Sequence, residues 1–481
     1  MMSPEPLSNS LPALRMDATR ESALLRASEI LLRSWRSFDT SREGQPIAST
    51  STEVLTCLPL PNAPETIDAV LLSAEAILDE SLAQARPRFF AFVGSSGLEA
   101  GVLGDMLAAA HDINLATSAR AADLIEAQTV RWVGDLVGYP SGAGYFTSGG
   151  MISNLTALAA ARERALPGAR EFGLERGGSA IYASADAHAS IRRAGEILGI
   201  GSEHVRAVPI DGNRRMDPDA LEQYLAADAK LGMTPIAIVA TAGTTLTGAV
   251  DPIADLADIA ERRGIWLHVD GAYGLPAAAS PRATALFEGL SRADSVSVDA
   301  HKWLFVPKAC GCLMVRDPAS LRAAFAHDSG YMLHDLERDR HPVDSTLEYS
   351  RPFRALKLWM ALRTHGADAF RRAISRNLEQ AQLLAELVRQ NESLELLMDP
   401  ELSIVLFRHV NADGDLDEHN RRLVKALQQD GRVWVSDASL DGITCLRPCI
   451  VNYRTSDEDI RELVRVTLEI GAKLSSKGDS G

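Results

Sequence analysis

Three ionisable residues stand where short apolar runs give way to small or polar residues: Lys302 in SVSVDAHKWLF, Asp270 in IWLHVDGAYG and His188 in SADAHASIRRAG. A lysine at a strand end among aromatic and apolar neighbours is open to desolvation, which favours the neutral amine and makes it a Schiff-base nucleophile. Asp270 is followed by Gly271 and Ala272. A carboxylate there can hold a pyridine nitrogen protonated, the partnership that makes pyridoxal phosphate an electron sink, and the small residues admit a flat ring. Thr147-Ser148-Gly149-Gly150 precede a helical stretch, so free N–H groups and the helix dipole can receive a phosphate. That run matches neither GxGxxG nor the Walker pattern, which disfavours dinucleotide and nucleoside triphosphate binding. His188 also precedes a helix, where an imidazole can lie flat on a ring and hydrogen-bond a carboxylate. Taken singly, each has a plainer reading: a solvated lysine, an N-cap or turn aspartate, a structural histidine, a glycine-rich helix start.

The elements that must position these residues follow from periodicity. From about residue 100 to 320, helical stretches (154–164, 190–198) alternate with the runs AIYAS, VRAVPI, IAIVATA, IWLHVD, SVSVD and CGCLMV. Strands alternating with helices predict βαβ units around a mainly parallel sheet, with chemistry gathered outside the carboxyl ends of the strands. Before it, Leu24, Leu25, Ile30, Leu31, Leu32 and Trp35 recur at helical spacing, and a second helix is predicted over 63–85. Residues 327–349 lack an apolar period and predict a long loop of the functional kind. Helices over 352–363, 367–391, 416–430 and 456–473, with the alternating SIVLFRHV, predict a small α+β domain. The expected division is a helical segment 1–85, a large α/β domain 86–360 and a small C-terminal domain 361–481.

Composition narrows the classes. The 481 residues are 46% hydrophobic and 23% charged, enough to bury a core without metals or disulfides. A net charge of −15 disfavours nucleic acid and anionic membrane as partners. Five cysteines (57, 310, 312, 445, 449) form no zinc-type pairs and fit free thiols in a reducing compartment; Cys310 and Cys312 share a strand face by alternation. No leader or long apolar stretch is evident, so a soluble, cytoplasmic protein without a catalytic metal is expected.

In their order and spacing, TSGG (147–150), DAH (186–188), TAGTT (241–245), HVDGAY (268–273), DAHKW (299–303) and RPFRALKLW (351–359) resemble the group II pyridoxal-phosphate-dependent decarboxylases, which include the aromatic-L-amino-acid and glutamate decarboxylases. The resemblance runs from about Arg86 to the end of the chain. It implies fold type I, pyridoxal 5'-phosphate as cofactor, and a homodimer with its active site between subunits. By the same resemblance, Lys302 would carry the cofactor, Asp270 would hold its ring nitrogen and His188 would stack on the ring and meet the substrate. Thr245 would help hold the cofactor, Gly150 and Met151 would give N–H groups to the phosphate, Asp299 and His301 would flank it, and Ser350 would approach from the partner subunit. Tyr331, in the long loop, would protonate the substrate carbon after carbon dioxide leaves.

Two positions depart from the family pattern. Met151 stands where many members have a hydroxyl, and Asp299 where the animal aromatic enzymes have asparagine, which puts a carboxylate near the phosphate unless it turns away. Phe92 and Ser95 fall where they would line the substrate pocket, whereas Gln84, Asp112 and Asn114 fall near positions that are apolar or aromatic in those enzymes. Arg354 and Arg447 could bind an anionic group or serve in structural ion pairs, and Trp303 and Trp359 read as packing residues. An aromatic L-amino acid is the expected substrate, with glutamate, aspartate or 2,4-diaminobutyrate as alternatives. An aminotransferase would share Lys302 and Asp270, and a dimeric scaffold without activity would need neither.

Overall fold

The apolar runs become a seven-stranded sheet in the computed structural model, which describes residues 16, 18–39, 59–116, 118–174, 178–327, 342–410 and 414–476. Its strands are β1 (Ala143–Thr147), β2 (Ser179–Ser184), β3 (Val205–Val208), β4 (Thr234–Thr241), β5 (Trp266–Asp270), β6 (Ser295–Asp299) and β7 (Gly311–Val315), in the order β1-β7-β6-β5-β4-β2-β3. Neighbours from β6 through β3 run parallel, and β7 runs antiparallel to β6 and β1. The sheet is therefore mainly parallel, as expected. The reversal of β7 has a simple cause: residues 300–310 are too few for the crossover that a parallel return requires, a dozen or more residues. β1 was not anticipated: it is five residues long with a glycine inside and Ser-Gly-Gly after it, too short for a clear apolar alternation.

The helix Gly150–Ala165 lies across β4, β5, β6 and β7. Its Ala157, Ala159, Ala160 and Ala161 combine high helix propensity with small volume, so the helix buries nearly its full middle against the strands. A second, antiparallel sheet follows in the order β10-β11-β9-β8, from β8 (Leu394–Met398), β9 (Leu406–His409), β10 (Ser436–Leu440) and β11 (Ile443–Arg447). Helices Ala367–Arg389, Leu416–Asp430 and Asp457–Ser476 cover it through Leu384, Val388, Leu423 and Leu463. Phe90 joins this core: its N–H donates to Trp434 O (2.7 Å), and its carbonyl accepts from Cys449 N (2.8 Å).

The chain divides into two compact units, Met1–Ala83 and Gln84–Gly481, and both sheets lie in the second. In the first, helices Arg20–Phe38 and Ile67–Asp79 pack together, and the buried Glu75 pairs with Arg26 (3.1 Å) and Arg33. The second of these helices is shorter than its pattern suggested, since the Thr66 hydroxyl caps it by accepting from Ala69 N. Among the described residues no helix is long and apolar enough to cross a membrane.

Candidate active site

Strands buried on both faces of a parallel sheet are normally apolar throughout. β5 and β6 break that rule at every second residue, with Trp266, His268 and Asp270 on one strand and Ser295, Ser297 and Asp299 on the next. Alternation puts each set on one face, and the register sets His268 beside Ser295 and Asp270 beside Ser297. The helix Gly150–Ala165 roofs this face and lowers Asn154 into it. The Asn154 amide donates to Asp270 Oδ2 (2.8 Å) and Ser190 Oγ (2.9 Å), and its Oδ1 lies 3.0 Å from His268 Nε2. Asp270 Oδ1 accepts from Ser297 Oγ (3.1 Å) and Ala272 N (3.2 Å). An ionised carboxylate has about four lone-pair sites. Three are taken here, which leaves Oδ2 one position for a donor such as a ring N–H.

Lys302 follows β6 on the short helix Ala300–Trp303, with Nζ 3.0 Å from Asp299 Oδ2. Its neighbour His301 accepts Cys310 N–H at Nδ1 (3.2 Å), so the ring proton sits on Nε2, 3.8 Å from the same carboxylate. Burial lowers the pKa of this histidine. Trp303 is fully buried, stacks on Tyr273 and donates to Asn377 Oδ1 (3.0 Å), a packing residue as expected.

The Gly149-Gly150 turn closes on the same spot. A Cβ at Gly149 would lie 3.3 Å from His301 Cε1, and one at Gly150 would lie 2.8 Å from Ala272 Cβ and 3.1 Å from Asp299 Oδ2. Side chains are excluded there, while Gly150 and Met151, as the first residues of a helix, have N–H groups with no carbonyl inside the helix to bind. Asp299 Oδ1 is buried without a hydrogen-bond partner among the described residues. Asp299 thus faces the glycines and Lys302 instead of turning away. A cradle that a Cβ would fill, helix-start N–H groups, an amine and a carboxylate with one open site form a set that fits pyridoxal phosphate.

The remaining predicted residues sort by their contacts. His188 caps helix Ala189–Ile197, its Nδ1 accepting from Ser190 N (3.2 Å) and lying 2.9 Å from Ser190 Oγ. Through Ser190 and Asn154 it joins Asp270. Thr245 is exposed on the turn after β4, and its carbonyl accepts from Arg447. The Arg447 guanidinium also donates to Leu246 O (3.2 Å) and Phe92 O (3.0 Å) and so ties the Phe92 segment to the Thr245 turn. Its guanidinium is therefore spent on backbone. Phe92 is exposed with φ +58°, and Ser95 Oγ donates to Val306 O (3.0 Å). Arg354 pairs with Glu348, Gln84 accepts from Lys308 Nζ (2.8 Å), and Trp359 Nε1 donates to Gln128 (3.1 Å). Asn114 donates to Ser350 Oγ (3.3 Å) and accepts from Arg351 N (3.0 Å), while Arg351 is locked in a buried two-pronged pair with Glu126. Ser350 is exposed. Tyr331 lies outside the described residues, as does Cys57; the four other cysteines are free and buried.

Asn154, Ser190, His268, Ser295 and Ser297 were missed in the sequence. Their signal was present: polar residues at every second position of runs that should be apolar, and an asparagine one helical turn after Gly150.

Residues 52–410 match the family model described as the pyridoxal-dependent decarboxylase conserved domain. The chain is 32% identical over 399 residues to an aromatic-L-amino-acid decarboxylase of Bacillus atrophaeus (81% of this chain, 82% of that one). It is 31% identical over 436 residues to a phenylacetaldehyde synthase of Arabidopsis thaliana (87% and 88%), and 34% over 363 to an L-2,4-diaminobutyrate decarboxylase of Rhizobium meliloti (74% and 71%). Among solved structures, Oryza sativa TDC with PLP and tryptamine superposes with a TM-score of 0.90 at 26% identity, covering 97% of this chain and 100% of that one. The chain belongs to the pyridoxal-dependent decarboxylase family, with the fold type I architecture, and is a carboxy-lyase that uses pyridoxal phosphate.

Proposed function

We propose that this enzyme decarboxylates an aromatic L-amino acid to its amine and carbon dioxide, as a cytoplasmic homodimer. The observation that carries the reading is the convergence of Lys302, Asp270, His188 and the Gly149-Gly150 turn on one face at the strand ends, joined by Asn154, Ser190 and Asp299. Bound pyridoxal phosphate supplies an aldehyde carbon open to amines and a ring that takes up the electrons of the broken carbon–carbon bond.

Lys302 would be the amine that holds that carbon, with the substrate amine as its competitor. Asp270 keeps the ring nitrogen charged, and the N–H groups of Gly150 and Met151 take the phosphate, flanked by Asp299 and His301. Thr245 helps hold the cofactor, and Ser350 reaches the site from the partner subunit. His188 would stack on the ring and orient the substrate carboxylate, and Phe92 and Ser95 would line the side-chain pocket. Tyr331 would deliver the proton to the substrate carbon after carbon dioxide leaves.

Two features support an aromatic side chain. The Bacillus relative and the rice structure point that way, and the arginines that could take an acidic side chain are spent, Arg354 on Glu348 and Arg447 on three carbonyls. The diaminobutyrate-specific relative favours 2,4-diaminobutyrate as the second reading. Exposed Leu24, Leu25, Leu32, Leu72 and Leu78 on the N-terminal unit offer apolar surface for a second copy, which light scattering tests directly.

The test is incubation of the cofactor-loaded enzyme with aromatic, acidic and basic L-amino acids, with products read by mass spectrometry. Aromatic amines are expected. An amine from diaminobutyrate alone, or keto acid without carbon dioxide, overturns the substrate or the reaction.

A further inference from the structure

A buried line of hydrogen bonds runs from Trp266 to His188. Trp266 Nε1 lies 2.8 Å from Ser295 Oγ, which lies 2.8 Å from His268 Nδ1. His268 Nε2 lies 3.0 Å from Asn154 Oδ1, Asn154 Nδ2 lies 2.9 Å from Ser190 Oγ, and Ser190 Oγ lies 2.9 Å from His188 Nδ1. Trp266, Ser295, His268, Asn154 and Ser190 are all buried.

The direction of every link is determined. An indole N–H can only donate, so Ser295 accepts from Trp266, and because Asn154 Oδ1 faces His268 Nε2 the ring proton lies there and Ser295 gives its own proton to the bare Nδ1. His268 then carries its proton on Nε2 and donates to Asn154 Oδ1. The orientation of Asn154 comes from the other side, where the Asp270 carboxylate can only accept, which forces the Asn154 NH2 towards it and leaves Oδ1 for His268. Burial depresses the His268 pKa to about 4, so the ring is neutral and has one proton to place. The second amide hydrogen of Asn154 goes to Ser190, whose hydroxyl and backbone N–H both donate to His188 Nδ1.

We infer that Trp266, Ser295, His268, Asn154 and Ser190 form a one-way hydrogen-bond relay that fixes the proton of His188 on Nε2 and aims the Asn154 amide at Asp270. Asn154 is thus the positioning residue that ties the carboxylate at the cofactor nitrogen to the histidine at the substrate. The inference rests on the proposed roles of Asp270 and His188. Its consequence is chemical: His188 presents an N–H outward, as a donor to a carboxylate, and cannot act there as a base. Far from the site the relay ends beneath a surface cation, with the Arg164 guanidinium 4.6 Å from the Trp266 ring centroid.

The test is nitrogen NMR of the holoenzyme labelled with 15N-histidine, with signals assigned through single His→Gln variants. His268 and His188 are expected with the proton on Nε2. In Ser295→Ala the Nδ1 signal of His268 is expected to shift as it loses its hydroxyl donor while Asn154 Oδ1 holds the proton on Nε2, and in Ser190→Ala the Nδ1 signal of His188 is expected to shift while the backbone N–H of residue 190 still donates to it. A wild-type His268 or His188 protonated on Nδ1 overturns the relay, as does a Ser295→Ala spectrum identical to wild type. Fluorescence titration with pyridoxal 5'-phosphate supplies the second readout. Asn154→Ala is expected to weaken binding about 10- to 100-fold, the loss of a charge-assisted hydrogen bond. If Asp270→Ala loses affinity and Asn154→Ala does not, the relay fails while the site stands. If Asp270→Ala binds the cofactor as wild type does, the site reading itself fails.

Discussion

Asp270→Asn removes one charge and changes the shape of the site hardly at all, so its effects can be worked out from the contacts. Asp270 receives an obligate donor on each oxygen: Ala272 N–H on Oδ1 and the Asn154 amide on Oδ2. An asparagine has one acceptor oxygen, so its NH2 must face one of these donors. Turning the Asn154 amide to help would set its NH2 against the His268 Nε2–H and is relieved only by moving that ring's proton to Nδ1. One donor–donor contact in a site whose residues are at most 7% exposed costs about 1–3 kcal/mol of stability. Loss of the charge at the ring nitrogen weakens cofactor binding about 10- to 100-fold, and turnover falls by a further factor of about 100–1,000 where the charge acts on the reacting state. Urea unfolding of the cofactor-free protein, cofactor titration and initial rates read the three effects separately. Unchanged unfolding with full turnover would refute both the donor assignment and the role of the carboxylate.

Gly150→Ala puts a Cβ 2.8 Å from Ala272 Cβ and 3.1 Å from Asp299 Oδ2; it should cost about 1–3 kcal/mol in urea unfolding and lower cofactor affinity more than Ala272→Gly does. Stability should also fall on acidification through the buried pair His409 and His419, whose rings meet at 3.1 Å. Burial first, and His419 second, lower the His409 pKa to about 4. The folded value is below the unfolded value of about 6.5, so its contribution is complete above that pH and is lost as pH drops towards 4. In His409→Gln the slope of urea stability across that window should flatten, and an unaltered slope would contradict the assignment. In aerated buffer Tyr331→Phe should keep the cofactor and shift product from amine to aldehyde in mass spectra, with dissolved dioxygen reduced to hydrogen peroxide and the nitrogen released as ammonia, whereas clean amine would exclude the tyrosine as proton donor.

Lys302 and Asp270 were legible because each ends an apolar run, and ligands on open α/β sheets sit at such ends. The same runs also held the signal for His268, Ser295 and Ser297, whose alternation put polar groups inside buried strands. Arg447 was not legible. Its acceptors, Phe92 O, Thr245 O and Leu246 O, lie hundreds of residues away in sequence, and no local spacing reveals that a charge is spent on carbonyls. The partners of Gln84 and Asn114, Lys308 and Ser350, were illegible for the same reason, since only the fold brings them together. β7 was recognisable as a strand, and its reversed direction could have been argued from the short connection after β6. The small sheet was harder: of its strands only β9 announced itself by alternation, within SIVLFRHV.

The account stands on Lys302 as the residue that carries the cofactor, and the structure supplies a rival in Lys308. Desolvation, and then the charge of Lys302, lower the Lys308 pKa, which favours its neutral amine, yet its Nζ is turned to Gln84 and not to the Gly149-Gly150 turn. The most direct measurement is reduction of the holoenzyme with borohydride, followed by proteolysis and mass spectrometry. The pyridoxyl adduct is expected on the peptide at Lys302, with fragment ions that exclude Lys308. An adduct on Lys308, or none on either lysine, would contradict the account.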